Sequence, residues 1–362
     1  MRAMVLKEFR ELRRDRRTVA MLVALPLVLL IVFGFAANFA VNTLKVAAVG
    51  PGAAAFATTV ASNPQASSKV DVYLIDDQGS AADARKELVN DRADFAVVLH
   101  SGAKPEVLID GSNLFAAQAA RIMVAQLGGA VDAQVLFNPD LKTSWVMVPA
   151  IIGLILTFVG TIVTSIGLVK EREAGTLEQL AVMPLPASSV ILGKIAPYFL
   201  LASFDMAIVT LLGMWIFGVP FNGSVLAFIV GAALFLFVVL GIGVLISTVS
   251  QTLGQAVQVA LMTMLPQILL SGMIFPLDAM AAGVRWIGYI LPLTWFTKVS
   301  QGVMIRGASW DYLWLPLAIL AVMAVVIFGA AVARLSRDIR PTRAHRRGAA
   351  PAAAPQPAAE VA

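Results

Sequence analysis

The sequence predicts an α-helical polytopic membrane protein with six transmembrane helices and a small extracytoplasmic α/β domain inserted between helices 1 and 2. Three observations carry this expectation. Hydrophobic residues make up 59% of the 362 positions and charged residues 14%, against roughly 45–50% and about 25% in soluble domains; the mean hydropathy is +0.83. So large an apolar surplus must face something other than water, and lipid is the simplest choice. Long apolar segments recur at 18–40, 145–169, 189–217, 224–247, 254–275 and 312–334, each with a length suited to about 30 Å of hydrocarbon. Between the first two, residues 41–143 change character and hold 11 of the 22 acids and 8 of the 27 bases.

The elements follow in order. In residues 1–17, Met1, Val5, Phe9 and Leu12 fall on one helical face, and Arg10, Arg13, Arg14 and Arg17 lie largely off it. This reads as an amphipathic cytosolic interfacial helix with its bases toward anionic lipid. The apolar run 18–40 exceeds the roughly 7–15 residues of a signal-peptide core, so it is read as an uncleaved first span. In 41–143, short apolar runs at 45–49, 70–75, 95–99 and 107–109 predict strands, and the spacing over 80–90 and 113–136 predicts helices; the alternation gives a small α/β domain. A five-span membrane domain occupies 144–334. Its segment 276–310, with Pro276, Asp278, Arg285, Pro292, Lys298 and Arg306, is too polar for a plain span. It predicts short interfacial or re-entrant outer helices, with Trp286, Tyr289 and Trp295 at headgroup depth. The Ala/Pro-rich tail 335–362 cannot bury a core and is read as disordered.

Positive charge sets the orientation. With the N-terminus inside, the inner segments carry 16 Lys/Arg, and the short outer segment 276–310 carries three. Both termini are therefore expected in the cytoplasm and 41–143 outside.

Several function classes fall away. With no cysteine, disulfides and thiolate chemistry are excluded. His100 and His345 stand far apart in sequence without clustered partners, which leaves nothing resembling the three or four ligands of a metal centre. There is no G-x-x-x-x-G-K-[ST] and no G-x-S-x-G, so the chain has neither a P-loop nor a nucleophile elbow of its own. Its basic clusters flank apolar segments and set topology, with no nucleic-acid partner expected.

The most informative stretch is 170–186, KEREAGTLEQLAVMPLP, within an inner loop 170–188. Glu171, Arg172, Glu173 and Glu178 are too polar for a bilayer. Thr176 suits an N-cap with Glu178 in the first turn, and Pro184 and Pro186 end the helix. A short helix across the membrane face suits docking a partner; an ordinary solvated loop is the other reading. Glu171-x-Glu173-x-Gly175-Thr176-x-Glu178-x-Leu180, then Pro184-Leu185, resembles the hallmark loop of ABC type-2 transporter permeases. Phe217-Gly218-Val219-Pro220 with Gly223-Ser224, the run Leu269 to Pro276 with Met280, and Leu291-Pro292-Leu293-Thr294 are similar to further motifs of that family. The match covers roughly 144–334; the first helix and span also fit, and Asp110-Gly111-Ser112-Asn113 is the close echo within 41–143.

The resemblance implies a permease subunit of an ATP-driven exporter in a bacterial inner membrane. It implies a cytosolic ABC ATPase subunit as partner, a second permease chain (another copy or a paralogue), membrane lipid, and an envelope protein as a possible partner of 41–143. ATP would bind the partner subunit and no cofactor this chain, which would not itself be an enzyme. Glu171, Glu173, Gly175, Thr176, Glu178 and Leu180 would couple ATPase motion to the spans. Drugs, lipids and envelope glycans are the substrate classes. Within the spans, Asp205 is either a substrate or gate residue or an interhelical hydrogen-bond partner. The stripes Thr157–Thr161–Thr164 and Gln251–Gln255–Gln258 either line a translocation path or pack helices. Two other functions remain open on residues alone: a non-transporting scaffold recruiting envelope proteins, and an ion-coupled carrier using Asp205.

Overall fold

A computed structural model describes residues 43–126, 129–174 and 187–339. The expected interfacial helix 1–17, first span 18–40, most of loop 170–188 and the tail from 340 onward lie outside the described residues.

Residues 44–136 form a five-stranded sheet with helices on both faces. The strands are β1 (Leu44–Val49), β2 (Val70–Asp76), β3 (Phe95–Val98), β4 (Glu106–Asp110) and β5 (Asp132–Leu136). They lie in the order β2-β1-β3-β4-β5. β1 runs parallel to β2 and β3, β3 pairs antiparallel with β4, and β4 runs parallel to β5. The helices are α1 (Ala53–Ser62), α2 (Pro64–Ser67), α3 (Ala81–Val89) and α4 (Leu114–Gln126). Alternation sorts the strand residues to two cores. Val46, Phe95, Val97, Val107 and Ile109 pack under Ala116, Ala117 and Ala120 of α4. Ala47, Val49, Ala96, Val98 and Leu108 pack under Ala84 and Leu88 of α3. Burial on both faces explains why β1 and β3 read as continuous apolar runs.

Two local expectations change. The stretch 113–136 is not one helix: α4 stops at Gln126 and β5 follows. Gly129, at φ +82°, breaks the helical path between them. β5 is an edge strand with three exposed residues, so its pattern is too polar to stand out. Helices α1 and α2 also went unanticipated. The Ala and Thr residues of α1 carry little apolar contrast, while α2 is one turn capped by Asn63 through Gln65 N and Ala66 N.

The described residues then contain five helices long and apolar enough to cross a membrane: α5 (Thr143–Glu173), α6 (Ala187–Phe217), α7 (Val225–Val249), α8 (Leu253–Leu270) and, after the short helices below, α11 (Trp310–Ile339). α7 is central, with 56% of its most apolar window buried against 22% for α6. Close approach requires its glycines: a Cβ on Gly243 would stand 2.8 Å from Thr164 Cβ and 3.0 Å from the Thr161 carbonyl oxygen. α8 ends earlier than the expected 275, because Gly272 adopts φ +85° just past the C-cap Ser271.

Segment 276–310 folds into a 3₁₀ turn (Leu277–Ala279), α9 (Ala282–Ile290), α10 (Pro292–Gln301) and a π-turn (Gly302–Arg306). α10 is buried along most of its length. Phe296 stacks on Phe235 of α7 at 4.5 Å. Ser300 Oγ donates to the Pro149 carbonyl at 3.1 Å and Gln301 Nε2 to the Val146 carbonyl at 2.9 Å. Trp295 therefore departs from the expected aromatic belt. It is 8% exposed and donates Nε1–H to the Tyr289 carbonyl at 2.8 Å, because the break at Leu291-Pro292 turns its helix into the bundle. Trp286 and Tyr289 on α9 are exposed.

Candidate functional site

The last turn of α5 enters loop 170–188, and its charges are committed to three neighbouring helices. Arg172 donates to the Ser250 carbonyl at 3.1 Å and the Thr248 carbonyl at 3.4 Å. A guanidinium thus sits where the carbonyls at the end of α7 concentrate negative potential. Glu173 Oε1 accepts from Leu253 N, the first residue of α8, at 3.2 Å, placing a carboxylate on a positive helix start. Glu171 pairs with Lys194 of α6. Thr252 caps α8 by accepting from Gln255 N at 3.3 Å, and the Gln255 side chain accepts in turn from Gln251 N at 3.0 Å. Gln255 is thus engaged at a helix start; Gln258, one turn on, is half-buried. Gly175, Thr176, Glu178 and Leu180 lie outside the described residues.

Halfway along the bundle is a cavity of about 260 Å³ between α5, α6 and α7, whose lining includes Gly160, Thr164, Tyr198, Leu201, Asp205 and Leu240. Asp205 Oδ2 is buried with no hydrogen-bond partner. A mid-span carboxylate costs about 2.5–3.5 kcal/mol on insertion scales, which makes an unpartnered one conspicuous. Thr157 and Thr161 are 1% and 3% exposed and lie outside this lining. The Thr157 hydroxyl donates back to the Gly153 carbonyl at 2.8 Å; Thr161 Oγ1 has no partner.

At the opposite end of α5 the sheet is fastened to the bundle by a network that residue patterns did not reveal. Arg306, at the end of the π-turn, is 7% exposed. It donates to Asp91 Oδ1 at 3.2 Å, Ser112 Oγ at 3.1 Å and the Tyr312 hydroxyl oxygen at 3.1 Å. The Tyr312 hydroxyl donates to Asp91 Oδ2 at 3.1 Å, and Ser309 Oγ donates to Asn90 Oδ1 at 3.3 Å. Asp91 turns the chain at φ +54°, a conformation Asp tolerates better than most residues. Burial pulls the Arg306 pKa down, but Asp91, Tyr312 and Asp110 more than offset this and hold it above its ordinary value. Burial pushes the Asp110 carboxyl up to about 7 against the opposing pull of Arg306. Nearby Asp94 is raised to about 6 by burial. The sequence signals were indirect: Arg306 is among the polar residues that set 276–310 apart from a plain span, and Asp110 and Ser112 lie in the stretch of 41–143 that echoes the family.

The bundle and its braced helix ends agree with the relationships of the sequence. A family model described as ABC-2 family transporter protein matches residues 16–333. The chain belongs to the ABC-2 transporter family. This ABC-2 permease is 29% identical over 360 residues to the probable multidrug ABC transporter permease YbhR of Escherichia coli K12, covering 93% of this chain and 98% of the relative. It is 30% identical over 337 residues to the probable multidrug ABC transporter permease YbhS of the same strain, covering 84% and 88%. A more distant match, 28% over 199 residues, is ABC transporter G family member 20 of Dictyostelium discoideum, covering 55% of this chain and 27% of that protein. The family resemblance drawn from the motifs is thereby borne out.

Proposed function

We propose that the chain is the membrane subunit of an ATP-driven exporter that moves an amphiphilic substrate outward, powered by a separate cytosolic ABC ATPase. In this reading residues 18–40 add a sixth span, both termini are cytoplasmic, and the sheet of 44–136 stands on the outer side of a bacterial inner membrane. A second permease chain, identical or paralogous, completes the pathway. A drug is favoured over a lipid or glycan because YbhR and YbhS are named for multidrug transport.

The observation that carries this reading is the bracing of the last turn of α5. A push on loop 170–188 would act at once on α6 through Glu171–Lys194, on α7 through Arg172, and on α8 through Glu173. Glu171 and Glu173 then serve as coupling residues by tying helix ends together, while Gly175, Thr176, Glu178 and Leu180 would form the surface the ATPase touches.

The test is co-expression of the full chain with a candidate cytosolic ABC ATPase subunit, followed by purification and reconstitution into vesicles. A stable complex with drug-stimulated ATP hydrolysis is expected, and Gly175→Trp should uncouple hydrolysis from export. If no ATPase subunit co-purifies and Gly175→Trp leaves export unchanged, the proposal fails.

A further inference from the structure

The cavity between α5, α6 and α7 contains hydrogen-bonding capacity that the protein leaves unused. Asp205 Oδ2 and Thr164 Oγ1 are both buried, both without a partner, and both residues line the cavity. Thr164 is 0% exposed. Its neighbour Thr157 shows the usual remedy for a buried helical hydroxyl, donation back along its own helix, and Thr164 does not take it. Tyr198, which also lines the cavity, is seven positions before Asp205 on α6 and therefore shares its face. The remaining wall is largely aliphatic, including Leu201 and Leu240.

We infer that this cavity binds a lipophilic monocation, the ammonium head of a protonated or quaternary amine. A carboxylate and a hydroxyl oxygen can accept from, or lie against, an ammonium, and an aromatic ring attracts cations within about 6 Å of its centroid. Among the described residues, no basic side chain of the bundle fills this role. Lys194 is eleven positions away on α6, about 16 Å along the axis, and is paired with Glu171. Arg172 is bound to the end of α7, and α7 contains no charged residue. An anion would be repelled by Asp205, and a neutral hydrocarbon would leave both acceptors unmatched. About 260 Å³ suits an ammonium head with one small ring rather than a large polycyclic drug. Leu201 is 65% exposed, so the cavity opens on the outer flank of α6, where an amine dissolved in the membrane would arrive.

That the occupant is exported rests on the proposed function; that it binds does not, and the experiment separates the two. The purified full-length chain in lipid nanodiscs is titrated with radiolabelled benzyltrimethylammonium, with its uncharged isostere neopentylbenzene as competitor. Saturable binding is expected, with no displacement by the isostere. Asp205→Asn preserves shape but removes the charge, and should weaken binding by about tenfold or more through the lost charge–charge attraction, since a quaternary ammonium has no N–H to donate. Leu201→Trp plugs the open flank from an exposed position that folding tolerates, and should abolish binding even if Asp205→Asn proves too unstable to purify. The inference is overturned by absent saturable binding, by undiminished affinity in Leu201→Trp or in a folded Asp205→Asn protein, or by efficient displacement with neopentylbenzene. Binding without ATPase-coupled export would retain the site and sink the export reading. Export of other amphiphiles without this binding would do the reverse.

Discussion

Arg306→Met keeps most of the side-chain bulk and deletes the charge that joins the sheet to the bundle. Three hydrogen bonds disappear, to Asp91, Ser112 and Tyr312. Breaking a fully buried ion pair costs about 3–5 kcal/mol, mostly because the surviving charge is stranded. Here the Asp91 side chain is 34% exposed, so water recovers part of that loss. Asp110, already pushed up to about 7, avoids part of the rest by taking a proton. The expected destabilisation of the junction is therefore about 2–3 kcal/mol, a factor of roughly 30 or more in its opening equilibrium. Hydrogen exchange reads this directly at the amide of Ala308, which donates to the Gly302 carbonyl at 2.8 Å, and at the turn around Asp91. A cycle with Asp91→Asn should give a coupling of about 1–2 kcal/mol. An exchange change below about threefold, or simple additivity in the cycle, would show that Arg306 does not hold the two parts together.

Other perturbations have defined outcomes. Burial raises the Asp110 carboxyl from the ordinary carboxylate range to about 7 in the folded state, so the folded state holds a proton that the unfolded chain releases, and stability falls as pH rises from about 4 to 7; Asp110→Asn should flatten that slope in thermal unfolding of the detergent-solubilised protein. Arg172→Ala should lower stability by about 1–2 kcal/mol and reduce export per ATP hydrolysed more than ATP hydrolysis itself, measured in vesicles containing the ATPase. Gly243→Leu forces side-chain atoms into Thr164 and the Thr161 carbonyl and should cost about 1–3 kcal/mol by overpacking, seen as a lower unfolding temperature. Phe296→Ala removes the ring stacked on Phe235 and should cost about 3–5 kcal/mol.

The five described apolar helices were legible because a bilayer leaves few options, so that apolar length alone marks a helix able to cross it. β1, β3 and β4 were legible because burial on both faces gives unbroken apolar runs, and the edge strand β2 because Val70, Val72, Tyr73 and Ile75 favour extended backbone. β5 escaped because an edge strand with Asp132, Ala133 and Gln134 exposed has almost no pattern. Trp295 was misplaced because an aromatic residue in a proline-punctuated segment reads alike whether its short helix lies on the bundle or inside it; only the packing of Phe296 on Phe235 decides. The bracing of α5 was half legible. The charges of 170–173 marked a polar helix end, but their partners are carbonyls and an amide, which carry no side-chain signature. The Arg306–Asp91 pair joins residues 215 positions apart, a separation at which one sequence offers no link.

That separation also has a consequence in time. A chain is made from its N-terminus at about 5–20 residues per second, so Asp91 is complete some 10–40 s before Arg306 exists. A sheet assembles in far less time than that. During the interval it must stand with Asp91 unpaired and Ser112 open, while Asp110 has no opposing guanidinium and is most easily kept neutral. The turn that ends at Arg306 is thus the fastening that closes the first folded part, and a nascent protein truncated before residue 306 would present the sheet complete but loose.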